Sequence, residues 1–447
     1  MKPARKDAAR LNTELLPRVF AGLFGAFLGL SLLKFGNPAV FEHLIGWPAN
    51  IYEWMLNPWP VILSYGLLGA AVVFGLLVAR GRPSSPRWLM LLPLVWLAWQ
   101  CVASARTLDA GLTRPVLQHL AACAVCFYLG LFSLSRVENL RLFWGGLLSG
   151  FLLVLVAGVR QEFGGLEETR RFFHLYVYPQ LKEVPPEYLK KLTSDRIFST
   201  LFYPNTLAGA LLLLGPPLLG FVWASRGRLT SLMRWLLMAL SGFAVLACLY
   251  WSGSKGGWLL MLVIGLVWLL HLRLRKWLKI TMVGVVLTTG LVGFFWRYSA
   301  FFERGATSVV ARFDYWEAAW KTAKQHPVLG AGPGTFAVSY KRIKRPESEM
   351  ARLAHNDYLQ QACDSGFVGF MAYAAFIWGS LIWVYFMGGL GGDWLKFSVW
   401  LGLLGWALQG LLEFGLYIPA LAWPAFVFMG WLLGLARKRI DKTPAGS

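Results

Sequence analysis

Twelve stretches of this 447-residue chain stay apolar for about the thickness of a bilayer, and a water-soluble core has no use for so many segments of roughly 20 residues. They fall near 17–34, 58–79, 88–104, 115–133, 141–160, 200–224, 233–251, 256–271, 278–296, 366–388, 395–416 and 418–436. The chain is 57% hydrophobic and holds 23 Trp, 31 Phe and 47 Gly, which excludes an ordinary soluble globule. The fold expected is an all-α polytopic membrane protein of about twelve transmembrane helices. No internal repeat, low-complexity linker or appended soluble domain stands out, so residues 1–447 read as one membrane domain. The basic start, "MKPARKDAARLNTELLPR", has no convincing small-residue cleavage site after the first apolar run, which is therefore read as a membrane helix.

The net charge of +21 might point to nucleic acid, but its distribution points to a membrane. The N-terminus and every second connection after it (1–18, 80–87, 134–141, 225–234, 272–279, 389–396 and 437–447) hold 22 Lys or Arg against 5 Asp or Glu, and so carry +17 of the total. That is the positive-inside pattern, with both termini expected in the cytoplasm and no nucleic-acid partner. Of the five cysteines, Cys123 and Cys126 form a C-x-x-C within an apolar block. With no second ligand pair, they read as buried small residues rather than a metal or redox site.

Two long connections then face the opposite side, 161–199 and 297–365. The second has ten Lys or Arg against seven Asp or Glu, an excess suited to an anionic partner on that face. Within it, Val309, Phe313, Trp316, Trp320 and Ala323 recur at three- and four-residue spacing, which predicts an amphipathic helix at the interface. Pro327 should end that helix by disfavouring helical backbone at His326. The "GAGPG" that follows is no phosphate-binding P-loop, since no Gly-Lys-Ser/Thr comes after it; its glycines would allow close approach of other backbone or of substrate.

The connection closes on "LAHNDYLQQACDSGFVGF". If 355–370 is helical, His355, Tyr358, Leu359, Ala362 and Gly366 share a face, and Gly366 and Gly369 admit a close neighbouring helix. A histidine at such a boundary suits general-base work near neutral pH; it equally suits capping a helix start. Three cations stand at membrane depth or its edge: Lys255 in "SGSKGG", Arg312 on the amphipathic helix, and Arg196 in "SDRIFSTLFYPNTLAGALL". An unpaired cation there costs roughly 2.5–3.5 kcal/mol on insertion scales and so tends to have a partner or a purpose, phosphate oxygens among them. Lys255 could instead snorkel, and Arg196 could pair with Asp195. Glu413, the one acid inside an apolar block, either pairs with a cation of the site or neutralises a neighbouring helix, and its place near the chain's last membrane boundary favours the second role. Glu347 and Glu349 read as solvated surface. No D-x-D, H-E-x-x-H or G-x-S-x-G is present.

These pieces, in order, are "RIFSTLFYPNTLAGAL", "SGSKGG", "ARFDYWEAAWKTAKQHPVLGAGPGTF" and "AHNDYLQ" with Gly366 and Gly369 behind it. Over roughly 196–385 they resemble the O-antigen ligase superfamily, which also includes O-antigen polymerases and protein O-oligosaccharyltransferases. The resemblance implies a GT-C-type architecture with a large periplasmic loop between helices 9 and 10. It also implies a metal- and cofactor-independent inverting glycosyltransferase in the bacterial inner membrane, its site facing the periplasm. The donor implied is a glycan on undecaprenyl pyrophosphate. The acceptor is a lipid A–core sugar, with another lipid-linked glycan or a protein as alternatives. A transporter of such lipids would show repeated halves, which are absent. On this resemblance His355 is the base, Arg312 contacts the pyrophosphate and Arg196 is a second phosphate ligand. Lys255 stands where relatives often have arginine, and Asn205, Asn356 and Tyr358 are further substrate-binding candidates.

Overall fold

The computed structural model describes residues 3–436 except 80, 82, 173, 176–177, 179–193, 202, 304–306 and 347. Among the described residues there is no strand. The helices, in chain order, are α1 (Pro3–Lys34), α2 (Ile51–Leu56), α3 (Val61–Val78), α4 (Arg87–Ala103), α5 (Ala110–Tyr128), α6 (Arg141–Arg160), α7 (Leu166–Phe172) and α8 (Pro204–Ala224). They continue with α9 (Ser231–Ser252), α10 (Lys255–His271), α11 (Lys276–Glu303), α12 (Thr307–Gln325), α13 (Phe336–Ile343), α14 (Asp357–Met387), α15 (Trp394–Gln409) and α16 (Pro419–Leu435).

Each of the twelve apolar blocks contains one of these helices. Among the described residues nine are long and apolar enough to cross a membrane; α10 and α16 are shorter apolar helices, and α15 has 16 residues. The architecture is that of an all-helical, multi-pass membrane protein. The expected loops are partly helical. α11 runs on to Glu303, and after α6 the chain kinks at Phe163 and Gly164 (φ +107°) before α7 begins. Residues 179–193 of the first long connection, the basic segment 437–447 and Glu347 lie outside the described residues.

α16 sits at the centre. Pro419 through Gly434 are all buried, and the helix touches α1, α5, α8 and α15. A helix apolar on every face belongs inside a bundle. In lipid, however, the hydrophobic effect does not press helices together, so close packing must do so. α1 and α6 show how. Gly25 and Gly29 meet Gly146 and Gly150 so closely that a Cβ on Gly29 would lie 2.3 Å from the Gly146 carbonyl oxygen, and one on Gly150 2.3 Å from that of Gly29. The C-x-x-C cysteines are both buried in α5, where Cys123 Sγ lies 3.6 Å from His119 Nε2.

The "HNDYLQ" segment departs from the continuous helix expected of it. Helix α14 begins at Asp357, with Asn356 Oδ1 accepting from the amides of Tyr358 and Leu359, both at 3.0 Å. His355 therefore lies outside the helix and shares no face with Tyr358, Leu359, Ala362 or Gly366. The helix then breaks at Ser365 and Gly366. Gly366 has φ +69°, and a Cβ there would stand 2.3 Å from the Val328 carbonyl oxygen, so this glycine admits a backbone turn rather than a neighbouring helix. Gly369 does face a helix, with Gln100 of α4 beside it.

Candidate active site

Glu413 is the centre around which the polar residues gather. Helix α15 stops at Gln409, and residues 410–418 form a connection to α16, buried from Glu413 onward and exposed at Leu411, so Glu413 is on a loop and not inside a membrane helix. Its Oε2 lies 3.0 Å from His355 Nδ1. Its Oε1 accepts from Arg312 Nη2 of α12 and, at 2.6 Å, from Asn205 Nδ2 at the start of α8. Asn205 Oδ1 in turn accepts from Arg196 Nη2 at 2.8 Å, while Arg196 Nε donates to the Ser252 carbonyl at 2.7 Å. Three remote parts of the chain thus converge on one carboxylate. The expectation that Glu413 neutralises a neighbouring helix is corrected: its partners are the candidate site residues themselves.

Electrostatics follow from this arrangement. Burial alone would push the Glu413 carboxyl up, but Arg312 and His355 outweigh it and hold the group below the usual glutamate range. Burial lowers the pKa of Arg196, opposed by the Glu413 charge. Arg196 does not pair with Asp195, whose carboxylate lies 2.9 Å from Arg170 Nη2. Lys255, first residue of α10, feels the charges of Arg196 and Arg312, and its Nζ lies 4.0 Å from the Phe301 ring centroid. Three cations and one carboxylate leave an excess of positive charge. Arg312 Nε is buried with no hydrogen-bond partner among the described groups, so the guanidinium retains donor capacity.

His355 is held from all sides. Its backbone is left-handed, φ +52°, a conformation rare for a side-chain-bearing residue. The Tyr315 ring stacks at 5.7 Å and the Phe414 ring meets it edge-on at 4.7 Å. Residues 355–357 also clasp the Glu413 loop. Asn356 Nδ2 donates to the Leu411 carbonyl at 2.9 Å, the Asp357 amide to that of Gly410 at 2.7 Å, and the Leu416 amide to Asp357 Oδ2 at 3.0 Å. His355 and Glu413 are thereby positioned by backbone contacts that bracket both residues.

Of the residues singled out in the sequence, His355, Arg312, Arg196 and Asn205 belong to one linked cluster and Lys255 lies beside it. Asn356 and Tyr358 do not join it; Asn356 caps α14 and holds the loop, and Tyr358 Oη donates to the Ala407 carbonyl at 3.1 Å. Sequence reasoning missed the part of Glu413, Tyr315 and Phe414. An acid alone in an apolar block was the available signal for the first. The rings carried none.

The apolar stripe expected on α12 faces mostly outward, the side that a helix at a membrane interface turns toward lipid. Val309, Phe313 and Trp320 are exposed, while Tyr315, Ala318, Ala319, Thr322 and Ala323 face inward. Small alanines, Ala323 of the stripe among them, let α12 approach α14; Val309, Phe313 and Trp320 stay outside, while Trp316 is half-buried and its Nε1 donates to the His355 carbonyl at 3.4 Å. Beneath the cluster, buried hydrogen bonds join three segments. Asp364 accepts from the Gly334 amide, Tyr417 Oη and Gln360 Nε2, tying the 330–334 glycine loop to α14 and to the loop after Glu413.

Comparison with known proteins bears on this same stretch. Residues 240–374 match the family model described as O-antigen ligase. An uncharacterized protein of Haemophilus influenzae is 31% identical over 144 residues, which are 27% of this chain and 36% of that protein, so the match spans about a third of that relative's length. The matched stretch, under a third of the chain, is thus similar to the O-antigen ligase family and holds Lys255, Arg312 and His355.

Proposed function

We propose that the chain moves a glycan from undecaprenyl pyrophosphate to a sugar hydroxyl of lipid A–core, at the periplasmic face of a bacterial inner membrane. The reading includes twelve crossings, cytoplasmic termini and the second long connection, 297–365, as a periplasmic loop. The observation that carries it is the 3.0 Å contact of His355 Nδ1 with a Glu413 carboxylate that Arg312 also holds.

An ionised Glu413 takes the proton of Nδ1 as a hydrogen bond, which leaves the Nε2 lone pair free. That nitrogen removes the proton from the acceptor hydroxyl as the hydroxyl oxygen attacks the anomeric carbon. The carboxylate stabilises the imidazolium that results, as the orienting acid does in hydrolase triads. On the other side of the anomeric carbon the bond to the pyrophosphate oxygen breaks. Arg312, Arg196 and Lys255 face the charge that collects there, and fixed cations at a partly dry interface stabilise it strongly. Arginine suits this better than lysine because its fork can bind two oxygens at once.

A reconstituted assay tests the reading. Purified protein receives undecaprenyl-pyrophosphate glycan with and without lipid A–core, and products are read by mass spectrometry. Glycan on lipid A–core is the expected product. Longer lipid-linked glycan without that acceptor would make the protein a polymerase, and no product from either would overturn the transfer reading with these acceptors.

A further inference from the structure

Away from the Glu413 cluster, a cavity of about 260 Å³ opens between the 39–44 segment, the start of α3 and the start of α5. Its polar lining is mixed: Glu42, Tyr65, Arg114 and Gln118. Its apolar lining includes Val61 and Ile62. We propose that this cavity binds a sugar of the acceptor, a membrane-borne glycolipid, and so forms an acceptor subsite. The proposal rests on the glycan-transfer reading above.

The lining selects the ligand class. A carboxylate in the wall disfavours a phosphate, and the guanidinium of Arg114 disfavours a metal cation. A sugar hydroxyl both donates and accepts, so it can answer Glu42 on one side and Arg114 or Gln118 on the other. The apolar side chains suit the C–H face of a ring, and the volume, below that of drug-sized pockets, suits about one ring. Glu42 itself leaves one oxygen unanswered. Its Oε1 accepts from the Val61 amide at 2.7 Å, but its Oε2 is buried with no hydrogen-bond partner among the described groups. Such groups are rare in folded proteins and call for a reason. Burial holds this carboxyl up at about 7.

Two further observations relate the cavity to an exposed apolar surface and to the cluster. Trp47, Ile51, Tyr52 and Met55 in and before α2 are each more than 60% exposed, an aromatic and aliphatic surface of the kind found at membrane interfaces. Lys34 at the end of α1 fixes this strap by donating to the carbonyls of Trp54, Met55 and Asn57. The strap joins the 39–44 segment to the start of α3, both of which line the cavity, so a glycolipid whose sugar enters it could rest its acyl chains against that apolar surface. On α5, moreover, Arg114 and Gln118 face the cavity while Thr113 donates to the Pro333 carbonyl and His119 Nε2 lies 2.7 Å from the Leu416 carbonyl oxygen, three residues after Glu413. One helix separates the cavity from the loop of the proposed active site.

Arg114 and Gln118 are exposed, so Arg114→Ala combined with Gln118→Ala should leave the fold intact. In the reconstituted assay the acceptor KM should rise about tenfold, as expected for a lost charged hydrogen bond, while the donor KM stays within about twofold. An unchanged acceptor KM, or both KM values rising together, would overturn the subsite. Should the wild-type protein transfer nothing, the failure lies with the proposed reaction, and direct binding of labelled lipid A–core to the two proteins reads the cavity instead. Weaker binding to the double variant would support it; equal binding would overturn it.

Discussion

Helices α9 and α11 and the junction of residues 353–367 with 410–417 are built on opposite rules. In α9 and α11 only 17% and 11% of the apolar window is buried, and large side chains such as Phe243 and Val292 stand on the outside. Any side chain of similar hydropathy would serve there, because lipid makes no demand on shape. At the junction most polar atoms have a named partner, and Glu413 alone draws its partners from three distant parts of the chain. The bilayer selects composition on the periphery. The site selects individual residues.

That contrast can be broken by substitution, and the largest effect is expected at Glu413. Glu413→Ala strands Arg312 and His355, and breaking a buried pair costs about 3–5 kcal/mol. The variant should unfold at markedly lower temperature in detergent and lose transfer; a melting point equal to wild type would mean the cluster is not cohesive. The same pairing predicts a pH dependence. Glu413 is held below its ordinary value, so its contribution is fully present above the unfolded glutamate range and is lost as pH falls through the lower, folded value. Acid melts of wild type and Glu413→Gln should therefore converge on acidification. A gap that persisted to low pH would contradict the pairing.

Asp357 should come next. Asp357→Ala removes the acceptor of the Leu416 amide and should cost about 1.5–3 kcal/mol, lowering kcat by loosening the Glu413 loop. Asp357→Asn keeps an acceptor oxygen and should restore most of kcat, an outcome that separates a clasp from a need for charge at that position. On the periphery Phe243→Ala is expected to change stability by less than about 0.5 kcal/mol and transfer not at all. A large loss there would show that α9 packs against something other than lipid.

Hydropathy alone made the twelve apolar blocks legible, since each contains a helix. It also hid the most informative residue. The block at 395–416 looks uniform by composition, so the end of α15 at Gln409 and the loop that carries Glu413 could not be separated from helix. The helical face assigned to His355 could have been corrected from the sequence itself. Asn356 followed by Asp357 is a good helix start, with a capping side chain and an acid in the first turn. The buried side of α12 was less accessible. Its stripe has the period of an interfacial helix, while the packed side is set by Tyr315 and by the small Ala318, Ala319 and Thr322, which permit close contact. Arg312, Arg196, Lys255 and Asn205 were found by charge or resemblance; the meeting of Arg312 and Asn205 on one carboxylate depends on contacts across more than 100 residues of chain, which no local pattern encodes.

The central claim is that the His355–Glu413 pair supplies the base, and the most direct measurement is the rate of glycan transfer by His355→Ala in the reconstituted system at saturating donor and acceptor. The account predicts a fall of about 10²–10⁴-fold, the usual contribution of a positioned base, in a protein that still binds the lipid-linked donor. Transfer at the wild-type rate would contradict it.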